Sequence, residues 1–182
     1  METFYPGYEA SAEVSAKAVF VDLDETFFEG TVINMTDEEI VQAEIKEKTL
    51  NLIVNARDKG IPVVMVTRNN PEMIERFFRA KPELRYLFTE EIACESGPKS
   101  APIKAYLERN NISPREAVFL DDTAGELDDV RKNVEGILAA HPDSADKITL
   151  KDEEFYIPDI RKKLRMSLFS SLPYADYVNL AA

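Results

Sequence analysis

The chain contains no tryptophan, one cysteine and one histidine among its 182 residues. A lone cysteine, Cys94, excludes any internal disulfide and points to a reducing, cytoplasmic compartment. His141, the sole histidine, stands at the predicted end of a strand and before Pro142, which disfavours a Cys–His nucleophile and leaves Cys94 as a buried bystander. Met1–Gly7 lacks the basic region and apolar core of a signal peptide, and no apolar run approaches the length of a membrane span, so a soluble intracellular protein is expected. Basic residues are scarce as well. With 34 acidic against 22 basic residues the net charge is −12, a field that repels a polyanion at long range and makes nucleic acid an unfavourable partner. There is no internal repeat and no low-complexity tract.

What the chain does have is a set of short apolar runs that end in chemistry. Ala18-Val19-Phe20-Val21 is continuous and lacks the alternation of a half-exposed strand, so it suits a central parallel strand covered on both faces. It delivers Asp22 and Asp24, two positions apart and therefore on one side of extended backbone. Such a pair repels itself unless a cation sits with it, and hard oxygen ligands favour Mg²⁺. A second run, Ile61-Pro62-Val63-Val64-Met65-Val66, ends at Thr67-Arg68-Asn69-Asn70-Pro71. Here Asn70, Pro71 and Glu72 read as N-cap, first-turn proline and acidic first turn of a helix, a junction whose free N–H groups suit a phosphate. The third run, Ala117-Val118-Phe119-Leu120, leads into Asp121-Asp122-Thr123. Between the second and third lies Ser96-Gly97-Pro98-Lys99-Ser100, a loop opening a helix, whose lysine supplies positive charge; Lys104, one turn on, is the competing lysine. Parallel sheets place their ligands beyond the carboxyl ends of their strands, where all of these residues are expected.

Taken in order, an aspartate pair, a strand-terminal Thr, a helix-opening Lys and a second aspartate pair resemble the haloacid dehalogenase superfamily of phosphotransferases, over roughly residues 18–137. The DxDxT motif is met by Asp22, Asp24 and Thr26. The stretches Thr67–Glu72, Ala80–Leu84, Gly97–Ser100 and Ala117–Asp122 look like the FkbH-like, capless branch. That branch comprises magnesium-dependent phosphatases and domains that load a glyceryl unit from a phosphorylated donor onto an acyl carrier protein. Where it usually carries Trp-Gly-Gly after the motif Thr, this chain has Phe27-Phe28-Glu29-Gly30, a departure that bears on the substrate more than on the chemistry. The resemblance implies a three-layer α/β/α sandwich with a parallel Rossmann-like sheet. Asp22 would be the nucleophile, and Asp24 the group that protonates the leaving oxygen and then activates water. Thr67, Arg68 and Lys99 would hold the phosphoryl oxygens. Mg²⁺ would be ligated by Asp22, the Asp24 carbonyl and Asp121, with Asp122 in the same set through Lys99 or a metal-bound water. Asp128 and Asp129 would be solvated. The implied activity is hydrolysis of a phosphate monoester through an aspartyl-phosphate, the alternatives being glyceryl transfer to a carrier protein and a 3′-phosphatase on nucleic acid.

The remaining organisation is that of one catalytic domain, residues 1–147, and a C-terminal extension, 148–182. Thr36 and Glu39 form a capping box opening a helix expected over Asp37–Lys59 and closed by Gly60. A helix near Pro71–Arg79 and a short strand near Leu87 follow; Ser113 and Glu116 form a second box with room only for a turn. The intervals Glu25–Asp37 and Thr67–Lys99 are too short for a large cap domain, so an open pocket is expected, able to take a phosphate on something large. Arg68, Arg76, Arg79, Lys81 and Arg85 read as a solvated basic face. The aromatic residues Phe155, Tyr156, Phe169, Tyr174 and Tyr177 of the extension, together with Leu172, are expected to pack on the domain or on a partner. Oligomeric state is left open by the sequence.

Overall fold

The computed structural model describes residues 11–151; the aromatic extension lies outside them. Five all-parallel strands form the central sheet in the order β4-β3-β2-β5-β6, where β2 is Ala18–Val21, β3 Val63–Thr67, β4 Glu90–Ala93, β5 Ala117–Leu120 and β6 Leu138–Ala140. The three continuous apolar runs are the three inner strands, every residue of them buried. Two apolar faces can be satisfied only by two helical layers. Val19, Val21, Val63, Met65, Val118 and Leu120 face one cluster, which also receives the helices α1 (Asp37–Gln42), α2 (Glu47–Asp58) and α3 (Pro71–Ala80). Ala18, Phe20, Val64, Val66, Ala117 and Phe119 face the other, covered by α4 (Ser100–Arg109) and α5 (Ala124–Asn133). The expected three-layer α/β/α sandwich with a parallel sheet is what forms.

Local signals place most of these elements. The Thr36–Glu39 capping box is closed in both directions, and Asn70 caps α3 by accepting from the Met73 N–H at 2.9 Å, with Pro71 at the first turn. Ser113–Glu116 encloses only a 3-10 turn, Pro114–Glu116. The helix expected over Asp37–Lys59 is two helices. Between them Ala43–Lys46 runs extended, so that Ile45 bridges Phe28 and the Lys46 N–H reaches the Phe27 carbonyl at 2.9 Å. Tertiary pairing of this break with the turn after the DxDxT motif overrides helix propensity. Around Leu87 the chain makes a 3-10 turn, Pro82–Leu87, and the strand comes afterwards as β4. A further pair, β1 (Ala12–Val14) with β7 (Ile148–Leu150), forms a separate two-stranded parallel sheet, so the folded unit extends through Leu150.

Five phenylalanines tie the motif loop to the helical layer. Phe27 and Phe28 are fully buried and meet Phe77 at ring distances of 6.3 and 4.9 Å, while Phe88 contacts Phe27 at 5.2 Å and Phe78 at 5.9 Å. Of the residues that stand in place of Trp-Gly-Gly, Phe27 and Phe28 are therefore core rather than substrate-facing, while Glu29 is exposed and Gly30 half-buried. The supposed basic face is largely committed too. Arg76 donates to the Val32 and Met35 carbonyls and to Asp37, buried Lys81 donates to the Val41 carbonyl at 3.0 Å, and Arg85 lies between Glu75 and Glu91. Arg79 remains on the surface. Between Glu25 and Asp37 the only helical element is the 3-10 turn Val32–Asn34, so no large cap domain is inserted there. Among the described residues no helix is long and apolar enough to cross a membrane.

Candidate active site

Strand order fixes where the chemistry-bearing residues meet. The connections from β2 to β3 and from β5 to β6 leave in opposite directions, which opens a crevice at the carboxyl ends of β2 and β5. Register then aligns the acids: Val21 pairs with Leu120, so Asp22 and Asp121 follow side by side, and the Asp22 N–H donates to the Leu120 carbonyl at 3.0 Å. Thr67 closes β3 on the other flank.

Lys99 enters from the start of α4 and lies between the two carboxylates. Its Nζ is 2.7 Å from Asp22 Oδ1 and 2.7 Å from Asp121 Oδ2, with the lysine only 2% exposed. Burial opposes its charge, but the charges of Asp22 and Asp121 outweigh that and hold its pKa above the ordinary lysine value. One ammonium cannot neutralise two buried acids. Burial consequently pushes Asp22 up to about 7, opposed by Lys99 and reinforced by Asp121, and lifts Asp121 in the same direction for the same leading reason. Lys104 is exposed.

Asp122 completes the acidic group. One oxygen from each of Asp22, Asp121 and Asp122 lies within 4.8 Å of the others, an all-carboxylate set of the kind that suits a hard divalent cation such as Mg²⁺. Surplus buried negative charge beside a single lysine is the physical reason a cation fits here. Asp122 does not bond Lys99, as one of the two expectations had it. Its Oδ1 accepts from the Thr26 hydroxyl at 3.2 Å, and its N–H donates to the Thr26 oxygen at 2.9 Å. Thr26, the last residue of DxDxT, thus locks the β2 loop to the β5 loop.

Asp24 faces the same crevice from a different footing. Its Oδ1 accepts from the Val32 N–H at 3.0 Å and its Oδ2 from Asn69 Nδ2 at 2.8 Å. Burial raises its pKa, the two hydrogen bonds opposing. Thr67 Oγ1 accepts from the Asn69 N–H at 3.2 Å and from Asn69 Nδ2 at 3.0 Å. Arg68 points elsewhere than its neighbour: it donates to Glu126 and to the Gly97 carbonyl, tying the loop that carries Lys99 to α5. Asp128 is exposed, but Asp129 is half-buried and accepts from the Ser100 N–H at 3.2 Å, capping the helix behind Lys99. Asn69 was not singled out from the sequence; its position directly after the strand-terminal Thr-Arg was the available signal. Cys94 is buried against the Ser96 carbonyl at 3.7 Å, and His141 accepts from the Asp143 N–H, so neither offers a nucleophile.

No protein-family model and no curated protein matches the chain. Solved structures do. The N-terminal part of the protein BF1531 from Bacteroides fragilis, containing a phosphatase domain complexed with Mg, matches with a TM-score of 0.59 and 21% identity over 82% of this chain. The match spans 40% of that Bacteroides chain. A putative phosphoglycolate phosphatase from Lactobacillus plantarum matches at 0.55 and 14% identity, over 82% of this chain and 100% of its own. CbbY from Rhodobacter sphaeroides, in complex with phosphate, matches at 0.54 and 15% identity, over 69% of this chain and 85% of its own. A HAD-superfamily hydrolase from Ehrlichia chaffeensis gives 0.52 and 15% identity, over 85% of this chain and 98% of its own. The fold is that of the haloacid dehalogenase-type hydrolases.

Proposed function

We propose that the protein is a Mg²⁺-dependent phosphatase that hydrolyses a phosphate monoester through an aspartyl-phosphate on Asp22. The observation that carries this reading is the placement of Lys99 between Asp22 and Asp121, with Asp122, Asp24 and Thr67 around the same strand ends. An anionic carboxylate approaches an anionic phosphate only where positive charge offsets the repulsion, and this crevice is organised around a buried cation with carboxylate oxygens left over for another. Asp22, Asp121 and Asp122, with the Asp24 carbonyl, would hold Mg²⁺, which when bound would supply further charge neutralisation for the transferring phosphoryl group. The similarity of fold to a phosphatase domain complexed with Mg and to a protein in complex with phosphate is in keeping with this reading.

In the first half-reaction an Asp22 oxygen attacks phosphorus as the ester P–O bond breaks, and the departing oxygen takes its proton from the Asp24 carboxyl group. Burial raises the Asp24 pKa, in the direction a proton donor needs. In the second, water attacks the aspartyl-phosphate, passes its proton to Asp24 and releases Asp22 and inorganic phosphate. Lys99 and the Thr67 hydroxyl stabilise the phosphoryl oxygens through both steps. Arg68 could join them only by leaving Glu126 and the Gly97 carbonyl, so it acts by fixing the Lys99 loop. Among the described residues neither the Glu25–Asp37 nor the Thr67–Lys99 interval holds an inserted domain, which would leave room at the strand ends for a phosphate on a bulky or carrier-bound substrate.

The test is Mg²⁺-dependent release of phosphate from 4-nitrophenyl phosphate, abolished by EDTA and by Asp22→Asn. Turnover unchanged in Asp22→Asn would falsify the assignment of the nucleophile.

A further inference from the structure

We infer that Asn69 and, one step behind it, Arg76 are positioning residues that fix the proton-donating carboxyl group of Asp24; this rests on the phosphatase reading above. Among the described residues no lysine or arginine forms an ion pair with Asp24, Lys99 pairing instead with Asp22 and Asp121. Its two oxygens are held from two sides by donors belonging to different elements, Asn69 Nδ2 on Oδ2 at 2.8 Å and the Val32 N–H on Oδ1 at 3.0 Å. Each oxygen keeps a second lone pair, so the carboxyl group can carry its proton while remaining clamped.

Asn69 is 7% exposed, and its amide serves two site residues at once. The same Nδ2 also reaches Thr67 Oγ1 at 3.0 Å, where the Asn69 N–H arrives as well at 3.2 Å. Both lone pairs of the Thr67 hydroxyl are then accepting, so its own proton is left to be donated, as a group facing a phosphoryl oxygen requires. A single side chain sets the direction of the acid and of the hydroxyl. The other donor, the Val32 N–H, belongs to the 3-10 turn Val32–Asn34, which Arg76 of α3 fastens by donating to the carbonyls of Val32, at 2.9 Å, and Met35, and to Asp37. Because Asn69 precedes α3 and Arg76 lies within it, both halves of the clamp refer to one rigid helix.

Positioning of a general acid shows itself in dependence on the leaving group. 4-Nitrophenolate departs with little help, whereas the far more basic phenolate needs the proton; kcat/KM reports the step in which Asp22 is phosphorylated. For Asn69→Ala, kcat/KM on phenyl phosphate is expected to fall roughly 10- to 100-fold and on 4-nitrophenyl phosphate within about threefold, while kcat falls for both because the same carboxyl group must activate water. Asn69→Asp, which keeps the shape but does not donate, should behave like the alanine variant. Arg76→Gln should show the same selectivity with a smaller amplitude. Thermal unfolding confirms that each variant is folded, and the three variants read the ratio independently should one fail to fold. An equal fall on both esters in folded variants, or no fall, overturns the positioning role. A wild-type protein inactive on both esters with Mg²⁺ overturns the phosphatase reading itself, and this inference with it.

Discussion

Replacing Lys99 with methionine removes the cation from between two buried acids and leaves the rest of the crevice in place. Its Nζ lies 2.7 Å from an oxygen of Asp22 and of Asp121, which are 6% and 0% exposed, so neither contact is screened by solvent. At an effective dielectric constant of about 20, each contact gives roughly 6 kcal/mol of attraction before desolvation is counted. Measured losses on breaking a buried pair are smaller, about 3–5 kcal/mol, because the survivors take up protons or water. For a chain of this size that is a fall in Tm of roughly 6–20 °C in the metal-free protein. The loss should depend on pH in a stated direction. Asp22 has a folded-state pKa of about 7 against an ordinary value of 3.8, so the native state favours its protonated form. Its contribution to stability is complete below about pH 4 and is lost as pH rises through about 7. Without Lys99 that penalty grows, so Lys99→Met should lose little at pH 5 and its full amount at pH 8. Calorimetric unfolding in EDTA at the two pH values measures it. A loss of equal size at both would refute the argument that surplus carboxylate charge dominates the crevice.

Three further outcomes follow from the same structure. Mg²⁺ binding requires an ionised Asp22, so affinity by titration calorimetry should fall by up to about tenfold per unit as pH drops below 7, with protons released on binding; affinity flat between pH 8 and 6 would contradict this. Phe77→Ala opens a void where Phe27, Phe28 and Phe78 converge and should cost about 3–5 kcal/mol in urea unfolding. Gly30→Ala meets both a φ of +120° and a Met35 Sδ placed 2.5 Å from the new Cβ, so a destabilisation of about 1–3 kcal/mol is expected, whereas Gly125→Ala, with nothing within 4 Å, should be close to neutral or stabilising.

The inner strands were legible because a strand buried on both faces must be apolar at every position, which is how 18–21, 61–66 and 117–120 read, although Ile61 and Pro62 lie ahead of β3. Their carboxyl ends carried the polar residues, and parallel topology did the rest: register alone puts Asp22 beside Asp121. Caps at Thr36 and Asn70 were legible for the same local reason. What escaped was set by contacts distant in sequence. The helix over 37–59 breaks because Ile45 and Lys46 serve the Phe27–Phe28 turn, a demand invisible in helix propensity. The edge strand β4 is hard to see since Glu90 and Glu91 are only half-buried and give no apolar run. β1 and β7, three residues each, are too short to show a period. Asn69 escaped because an asparagine before a helix reads first as a turn, and only the folded chain shows its amide between Asp24 and Thr67.

The small β1–β7 sheet bears on how the domain would respond to mechanical load. The two strands are parallel, with Ala12 opposite Ile148 and Val14 opposite Leu150, and the Lys151 N–H adds a bond to the Val14 carbonyl at 2.9 Å. Tension applied ahead of Ala12 and beyond Leu150 pulls the two strands in opposing senses along their length, so their hydrogen bonds are loaded together in shear rather than peeled one at a time. Pulling would have to rupture this clasp before it reached the strand ends that gather the acids.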